Sequence, residues 1–333
     1  MIRRPLPALS LLAVSGIALA GCAASASGEP SAAGDGVTIV ASTSVYADLA
    51  SAVVGDAAEV TAVIDSPTQD PHSYESTARD QLAVDGADIA ILNGGGYDHF
   101  MEDLVASAGT EHVITAVEHA HDYPGAAEHS DEGHADEDAE QTDAADEHAE
   151  DEHAHEHIEG FNEHVWYDPH TILHVVEAIA EEAVAVLPDD AAAIEENRDA
   201  LIGDIEGLEA RLEDLAGTYA GAHAFYTEPI GGYLAAAAGL EDGTPEGFAE
   251  AVEEGQDVPP ATLLAAIEAL EGGDVDVVVA NTQTGGAETQ RVLETAEAAG
   301  VPIVEYSETL PEGETYASWM AANIDALEGA LRG

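Results

Sequence analysis

Four side chains suited to divalent-metal coordination stand in short polar stretches just past strand-like runs. They are His72 in "SPTQDPHSYEST", His164 in "NEHVWYDP", Glu228 in "YTEPIGGY" and Glu308 in "EYSETLPEG". Two imidazoles and two carboxylates form a mixed nitrogen and oxygen donor set, which suits zinc and, through its hard oxygens, manganese. Open α/β sheets place ligands beyond the carboxyl ends of their strands. Two histidines from the first half of the chain and two glutamates from the second would then meet in a cleft between two lobes. Each residue also has an ordinary role open to it. His72 is positioned to pair with Asp70 or Glu75, His164 to stack beside Trp166, Glu228 to accept from the first amides of a following helix, and Glu308 to be one more surface acid.

A second concentration of imidazole lies between His119 and His157, where eight histidines are set among alanine, aspartate and glutamate. Large apolar residues are almost absent there, so residues 119–160 cannot bury a core and are expected to be a mobile, disordered loop. His148, His153, His155 and His157 are expected to be weak, exchangeable metal sites on that arm. His170 and His174 share a helix face at i, i+4 and read as surface or supporting residues. Asp168 and Glu163 are candidates to accept the spare N–H of a liganding histidine, which would set its tautomer. His223, just ahead of the strand that leads to Glu228, is a substitute ligand.

The elements that must position these groups follow from periodicity. "VTIVAST" (37–43), "VTAVI" (60–64), "ADIAILNGGG" (87–96) and "EHVITAV" (111–117) read as strands with helices between them, the pattern of a parallel sheet covered on both faces. Asp168 and Pro169 read as the cap and first turn of a helix. Between 188 and 221, Ile194, Leu201, Ile205, Leu208, Leu212 and Leu215 recur at helical spacing and predict one long amphipathic helix. Strands at 224–229, 275–281 and 301–307 then repeat the alternation, and a helix closes the chain. The expected fold is α/β: two lobes, each with a mostly parallel four-stranded sheet, joined by a long rigid helix.

The N-terminus begins with Arg3 and Arg4, an apolar run from Pro5 to Ala20, and "LAGC" ending at Cys22, the single cysteine. That run is short of the roughly 20 apolar residues that span a bilayer and reads as a signal peptide, residues 1–21. Residues 22–36 read as a flexible tether, followed by a first lobe (37–187), the linker helix (188–221) and a second lobe (222–333). A lone cysteine leaves no intramolecular disulfide and no cysteine-rich zinc site. The 333 residues carry 68 acidic side chains against seven basic ones, a net charge of −61, which excludes nucleic acid as a partner.

"DPHSYE", "HVWYDP", "TEPIGGYLAAAAGL", "NTQTGG" and "VPIVEYSETLPEGETYASWM", in that order, resemble the substrate-binding lipoproteins of zinc and manganese ABC transporters. The resemblance covers nearly all of the chain after the tether, including the histidine-rich insert of the zinc members. It implies that His72, His164, Glu228 and Glu308 are the metal ligands, and that "LAGC" is a lipobox that anchors the exported protein to the outer face of the membrane through Cys22. It further implies a monomer that delivers its ion to an ABC permease. Two positions depart from the zinc pattern: Glu228 stands where zinc members carry histidine and manganese members glutamate, and Glu308 stands where aspartate is usual. Imidazoles and the histidine-rich loop favour Zn2+; the carboxylates favour Mn2+. A surface zinc buffer or adhesin, with the loop as its working part, is a different reading. A metal-dependent hydrolase would need an open coordination position and a general base. No "HExxH" is present and four protein ligands would fill a zinc site, so no enzyme is expected.

Overall fold

The computed structural model describes residues 36–124, 158 and 160–333. Residues 1–35, which hold the expected signal and all but the last residue of the expected tether, Cys22 included, lie outside the described residues, as do the loop histidines His148, His153, His155 and His157. No helix among the described residues is long and apolar enough to cross a membrane.

Among the described residues, eight strands form two sheets. The first contains β1 (Val37–Thr43), β2 (Ala58–Ile64), β3 (Ile89–Leu92) and β4 (His112–Thr115); the second contains β5 (His223–Tyr226), β6 (Glu241–Asp242), β7 (Val277–Asn281) and β8 (Ile303–Tyr306). Their orders, β2-β1-β3-β4 and β6-β5-β7-β8, are the same, and every pairing is parallel. Parallel strands covered on both faces need continuous apolar runs. All residues of β3 (IAIL) and β7 (VVVAN) are accordingly buried, whereas the edge strand β2 (AEVTAVI) has only Ile64 fully buried. In each sheet the order reverses beside its first strand, so the ligand-binding crevice is expected at that end.

Helices α1 (Ser44–Val54), α2 (Ala78–Asp85) and α3 (His99–Ala108) connect the first sheet; α4 (Pro169–Val186) and α5 (Ala191–Tyr219) lie between the sheets in sequence. Asp168 caps α4 by accepting from the His170 amide, with Pro169 in the first turn. The six apolar residues predicted to line the long helix are the buried ones of α5. Its 29 residues span about 43 Å at 1.5 Å each. The second sheet is served by α6 (Gly232–Ala237), α7 (Phe248–Glu253), α8 (Pro260–Gly272), α9 (Ala287–Ala299) and α10 (Tyr316–Arg332).

One apolar core runs from Ile39 and Leu49 of the first lobe through Leu208 of α5 to Tyr306 and Leu327 of the second. Polar bonds also tie the lobes together. Tyr167 Oη donates to the Ser307 carbonyl (2.9 Å), Tyr316 Oη to the Trp166 carbonyl (2.9 Å), and the Tyr316 amide to Asp48 (2.7 Å). The continuity of this core opposes a wide hinge opening.

Several elements differ from the sequence reading. β3 stops at Leu92 because Gly94, Gly95 and Gly96 all take positive φ, and the Asp98 carboxylate accepts from the Asn93 and Gly94 amides to close that turn. β6 and α7 carry no periodic signal. β6 is two residues long and exists through its register with β5, the Glu241 and Gly243 amides donating to Ala222 and Ala224.

Gly231 is conformationally required. Its φ is +72°, and a Cβ there would stand 2.3 Å from Tyr306 Cδ2. Gly231→Ala is expected to destabilise the protein by roughly 2–4 kcal/mol, from left-handed strain plus overpacking. Urea denaturation of the variant beside the parent checks this.

Candidate metal centre

The segments that follow β2, β5 and β8, together with the turn ahead of α4, bring the four sequence-derived residues into one buried region. After β2 the chain turns at Asp70, whose carboxylate accepts from the His72 amide (3.0 Å) and from Ser73 Oγ (2.8 Å). The His72 ring then meets Tyr97 edge-on at 4.9 Å and lies 5.7 Å from the His164 ring, centroid to centroid. His164 precedes the short turn leading into α4. Its amide and its Nδ1 both bond to Asn162 Oδ1, at 3.1 and 2.9 Å, and its Nε2 lies 3.4 Å from Glu308 Oε1.

Glu228 stands two residues past β5 and Glu308 two residues past β8, while β7 between them ends at Asn281. The Asn281 side-chain amide donates to both carboxylates, at 2.5 Å to Glu228 Oε2 and 2.6 Å to Glu308 Oε1. Thr284 donates to the other oxygen of Glu228, and Tyr97 Oη to Glu308 Oε2 at 3.1 Å. His164, Glu228 and Glu308 are fully buried, and the His72 side chain is 9 % exposed. The ordinary roles open to Glu228 and Glu308, helix cap and surface acid, are therefore not the ones they take.

Other sequence-derived positions fall elsewhere. Neither Asp168 nor Glu163 takes the His164 Nδ1 proton; Asn162 does. Asp168 caps α4 through His170 and Thr171, and Glu163 instead faces His72, 4.0 Å from its Nδ1. His223 opens β5, at the far end of the strand from Glu228, and pairs with Glu241 at 3.6 Å, so it is not a substitute ligand. His170 and His174 are edge-to-face at 5.2 Å and engage Glu209 and Glu177 on the outside of α4. Among residues the sequence did not single out, Asn281 and Thr284 sit in "NTQTGG" at a strand end, a location that points to them. Glu253 had no such signal, being one acid among many; its Oε1 lies 3.7 Å from His164 Nδ1.

Burial and the proximity of these groups to one another set their charges. Burial holds the His72 pKa below its usual value, against the pull of Glu308, so this imidazole is neutral at pH 7. Burial also opposes the His164 cation, but Glu308, Glu253 and Glu163 outweigh it and hold its pKa up to about 10. Glu308 is desolvated too, yet His164, His72 and Tyr97 keep its pKa below the ordinary value. Glu228 is pushed up to about 7 by burial and by Glu308, despite its bonds from Thr284 and Asn281. His164 thus serves as counter-ion to Glu308. Buried carboxylates without a cation would otherwise be costly.

Residues 39–330 match the family described as zinc-uptake complex component A, periplasmic. The manganese-binding lipoprotein MntA of Halalkalibacterium halodurans is 27% identical over 195 residues, an alignment spanning 59% of this chain and 54% of that relative. The iron ABC transporter substrate-binding lipoprotein MtsA of Streptococcus pyogenes is 23% identical over 342 residues, covering 93% of each chain. The periplasmic zinc-binding protein TroA of Treponema pallidum superposes with a TM-score of 0.68 at 17% identity, covering 89% of this chain and 99% of that one, which shows the shared fold. By the match across nearly its whole described length, the chain belongs to the zinc-uptake component A family, whose members are metal-binding components of ABC importers and not enzymes.

Proposed function

We propose that this protein captures Zn2+ outside the membrane through His72, His164, Glu228 and Glu308 and passes it to the permease of an ABC importer, as a monomer anchored through a lipid on Cys22. The observation that carries this reading is the convergence of two imidazoles and two carboxylates, from both sheets, in one buried place. Four protein donors satisfy the tetrahedral preference of zinc. Bound, the ion would replace the His164 proton and neutralise Glu228 and Glu308. The shared core argues that capture and release involve small displacements, with release prompted by docking on the permease. His148, His153, His155 and His157 would serve as weak sites that collect the ion and hand it inward.

A specific observation favours Mn2+ as the rival cargo: half of the proposed donors are hard carboxylates, which raise the coordination number when both bind through two oxygens. The names of the relatives divide among zinc, manganese and iron and so do not choose between them. A competition titration decides it, using metal-stripped protein lacking residues 120–160, with zinc and manganese each set against a calibrated chelator. One tight site preferring zinc by about 100-fold or more is expected, since nitrogen and oxygen sites follow the Irving–Williams order. Absence of any preference for zinc would move the assignment to manganese. Loss of the tight site together with the loop would favour a surface buffer instead.

A further inference from the structure

We infer that Glu253, the last residue of α7, is a further metal ligand, binding the same ion as His72 and His164. The inference rests on the proposed cargo site and extends it by one residue from an element that no sequence pattern predicted.

Three observations carry it. One donor atom from each of His72, His164 and Glu253 lies within 4.8 Å of the other two, and among the described residues this is the one such grouping of three histidine, cysteine or acidic side chains. Donors around a tetrahedral ion at about 2.1 Å stand roughly 3.4 Å apart, so side-chain rotation, rather than movement of a lobe, is the scale of change needed to close on an ion. Second, the Glu253 side chain is only 6 % exposed, although it belongs to a short surface helix whose one other acid, Glu250, faces solvent. A carboxylate withdrawn from water needs a cation or donors nearby, and Glu253 Oε1 stands 3.7 Å from the His164 ring at Nδ1, the nitrogen that also bonds Asn162. Third, Glu253 lines a cavity of about 760 Å³ whose wall includes Glu163, Glu246, Glu250 and Asp257. An ion drawn along that acidic wall meets Glu253 beside the two imidazoles. The remaining candidates, Glu228 and Glu308, already accept from Asn281, Thr284 and Tyr97, so they form the fixed side of the site and Glu253 the side facing the cavity.

The chemistry expected is a mixed shell expanded from four donors to five, a number that zinc also reaches, in which a third carboxylate, carried on a six-residue helix, closes over a bound divalent ion. This also accounts for how a glutamate at 228, where zinc relatives were expected to carry histidine, is compatible with tight binding: the shell gains an oxygen donor from α7.

The test uses the full chain, stripped of metal and titrated with zinc against a chelator strong enough to silence weak sites. Cobalt(II) alone serves as an optical probe, because its visible absorption reports the number and kind of donors. Glu253→Gln is expected to weaken zinc binding by about tenfold or more and to change the cobalt spectrum, while Glu254→Gln, its exposed neighbour, leaves both unaltered. Glu253→Asp, which keeps the carboxylate, should recover part of the affinity. An unchanged zinc affinity together with an unchanged cobalt spectrum in Glu253→Gln would overturn the inference. So would equal losses in Glu253→Gln and Glu254→Gln, which would reduce Glu253 to one contributor to a general field. His164→Ala, run alongside, separates the two levels: tight binding retained in that variant sinks the cargo site itself, whereas its loss there with no effect at Glu253 sinks only the role of Glu253.

Discussion

Replacing His164 with alanine is expected to reduce tight metal binding by more than about 100-fold, beyond the roughly 10–100-fold that loss of a supporting partner costs. The same change is expected to destabilise the metal-free protein. Glu308 is fully buried, and in the metal-free site its nearest cation is the His164 imidazolium, 3.4 Å away. Removing one partner of a buried pair leaves an uncompensated charge, at a cost of about 3–5 kcal/mol. Bonds from Tyr97 and Asn281 remain to Glu308, so the lower end of that range is the expected value. The pH dependence has a definite sign. The His164 pKa is raised from 6.5 to about 10, so its contribution is complete below 6.5 and is lost as pH rises through 10. The Glu308 pKa is lowered from 4.5, so its contribution is present above 4.5 and disappears in acid, below that value. The difference between parent and variant is therefore largest between about pH 4.5 and 6.5. Urea denaturation at pH 5.5 and at pH 9.5, in the presence of chelator, reads it. Equal stability of the two proteins at pH 5.5 would mean that the pair carries no weight.

Metal loading should have a still larger effect on stability. A ligand that binds only the folded state stabilises by RT ln(1 + [L]/Kd), so a site of about 1 nM at about 10 µM free zinc adds roughly 5.5 kcal/mol. For a chain of this size each kcal/mol moves the melting temperature by about 2–4 °C, and a rise of about 10 °C or more on loading is expected, reversed by chelator. Binding must also release protons. At pH 7 His164, its pKa held near 10 by the neighbouring carboxylates, is still protonated, and Glu228, with a pKa of about 7, is protonated about half the time. His72 is already neutral and gives up nothing. Zinc binding at pH 7 should therefore expel between one and two protons, measured from calorimetric heats in buffers of different ionisation enthalpy. Affinity then falls as the pH drops below 7, because more Glu228 must be deprotonated. Binding with no proton release would contradict the charge assignment of the site.

The long helix shows how far local pattern reaches. Ile194, Leu201, Ile205, Leu208, Leu212 and Leu215 identify both its existence and its buried face, since a 3.6-residue repeat is a property of neighbours in sequence. The same holds for the apolar strands β1, β3 and β7 and for the cap at Asp168 and Pro169. The extended reading of 87–96 was too long because three glycines in succession turn the chain as soon as the sheet ends. β6 lay beyond any local reading: two acidic residues become a strand only because β5 offers them an edge.

For the site, residue type and position past a strand pointed to His72, Glu228 and Glu308; His164 was expected past a strand too but stands ahead of the turn into α4, and family resemblance selected the same four. What the sequence determined by itself is the alternation of strands and helices, the two lobes and this set of candidate donors, because periodicity, strand ends and short motifs are all written between near neighbours. The tertiary structure decided which polar groups surround them. Asn281 is shared by two carboxylates 53 and 27 residues away, Asn162 rather than Asp168 orients His164, and Glu253 rather than His223 approaches the imidazoles. In a chain with 68 acidic residues composition cannot distinguish one glutamate from the next. Only the tertiary packing that seats α7 on the second lobe, with Phe248 against Phe225 of β5, withdraws the Glu253 side chain from water and leaves Glu250 and Glu254 in it.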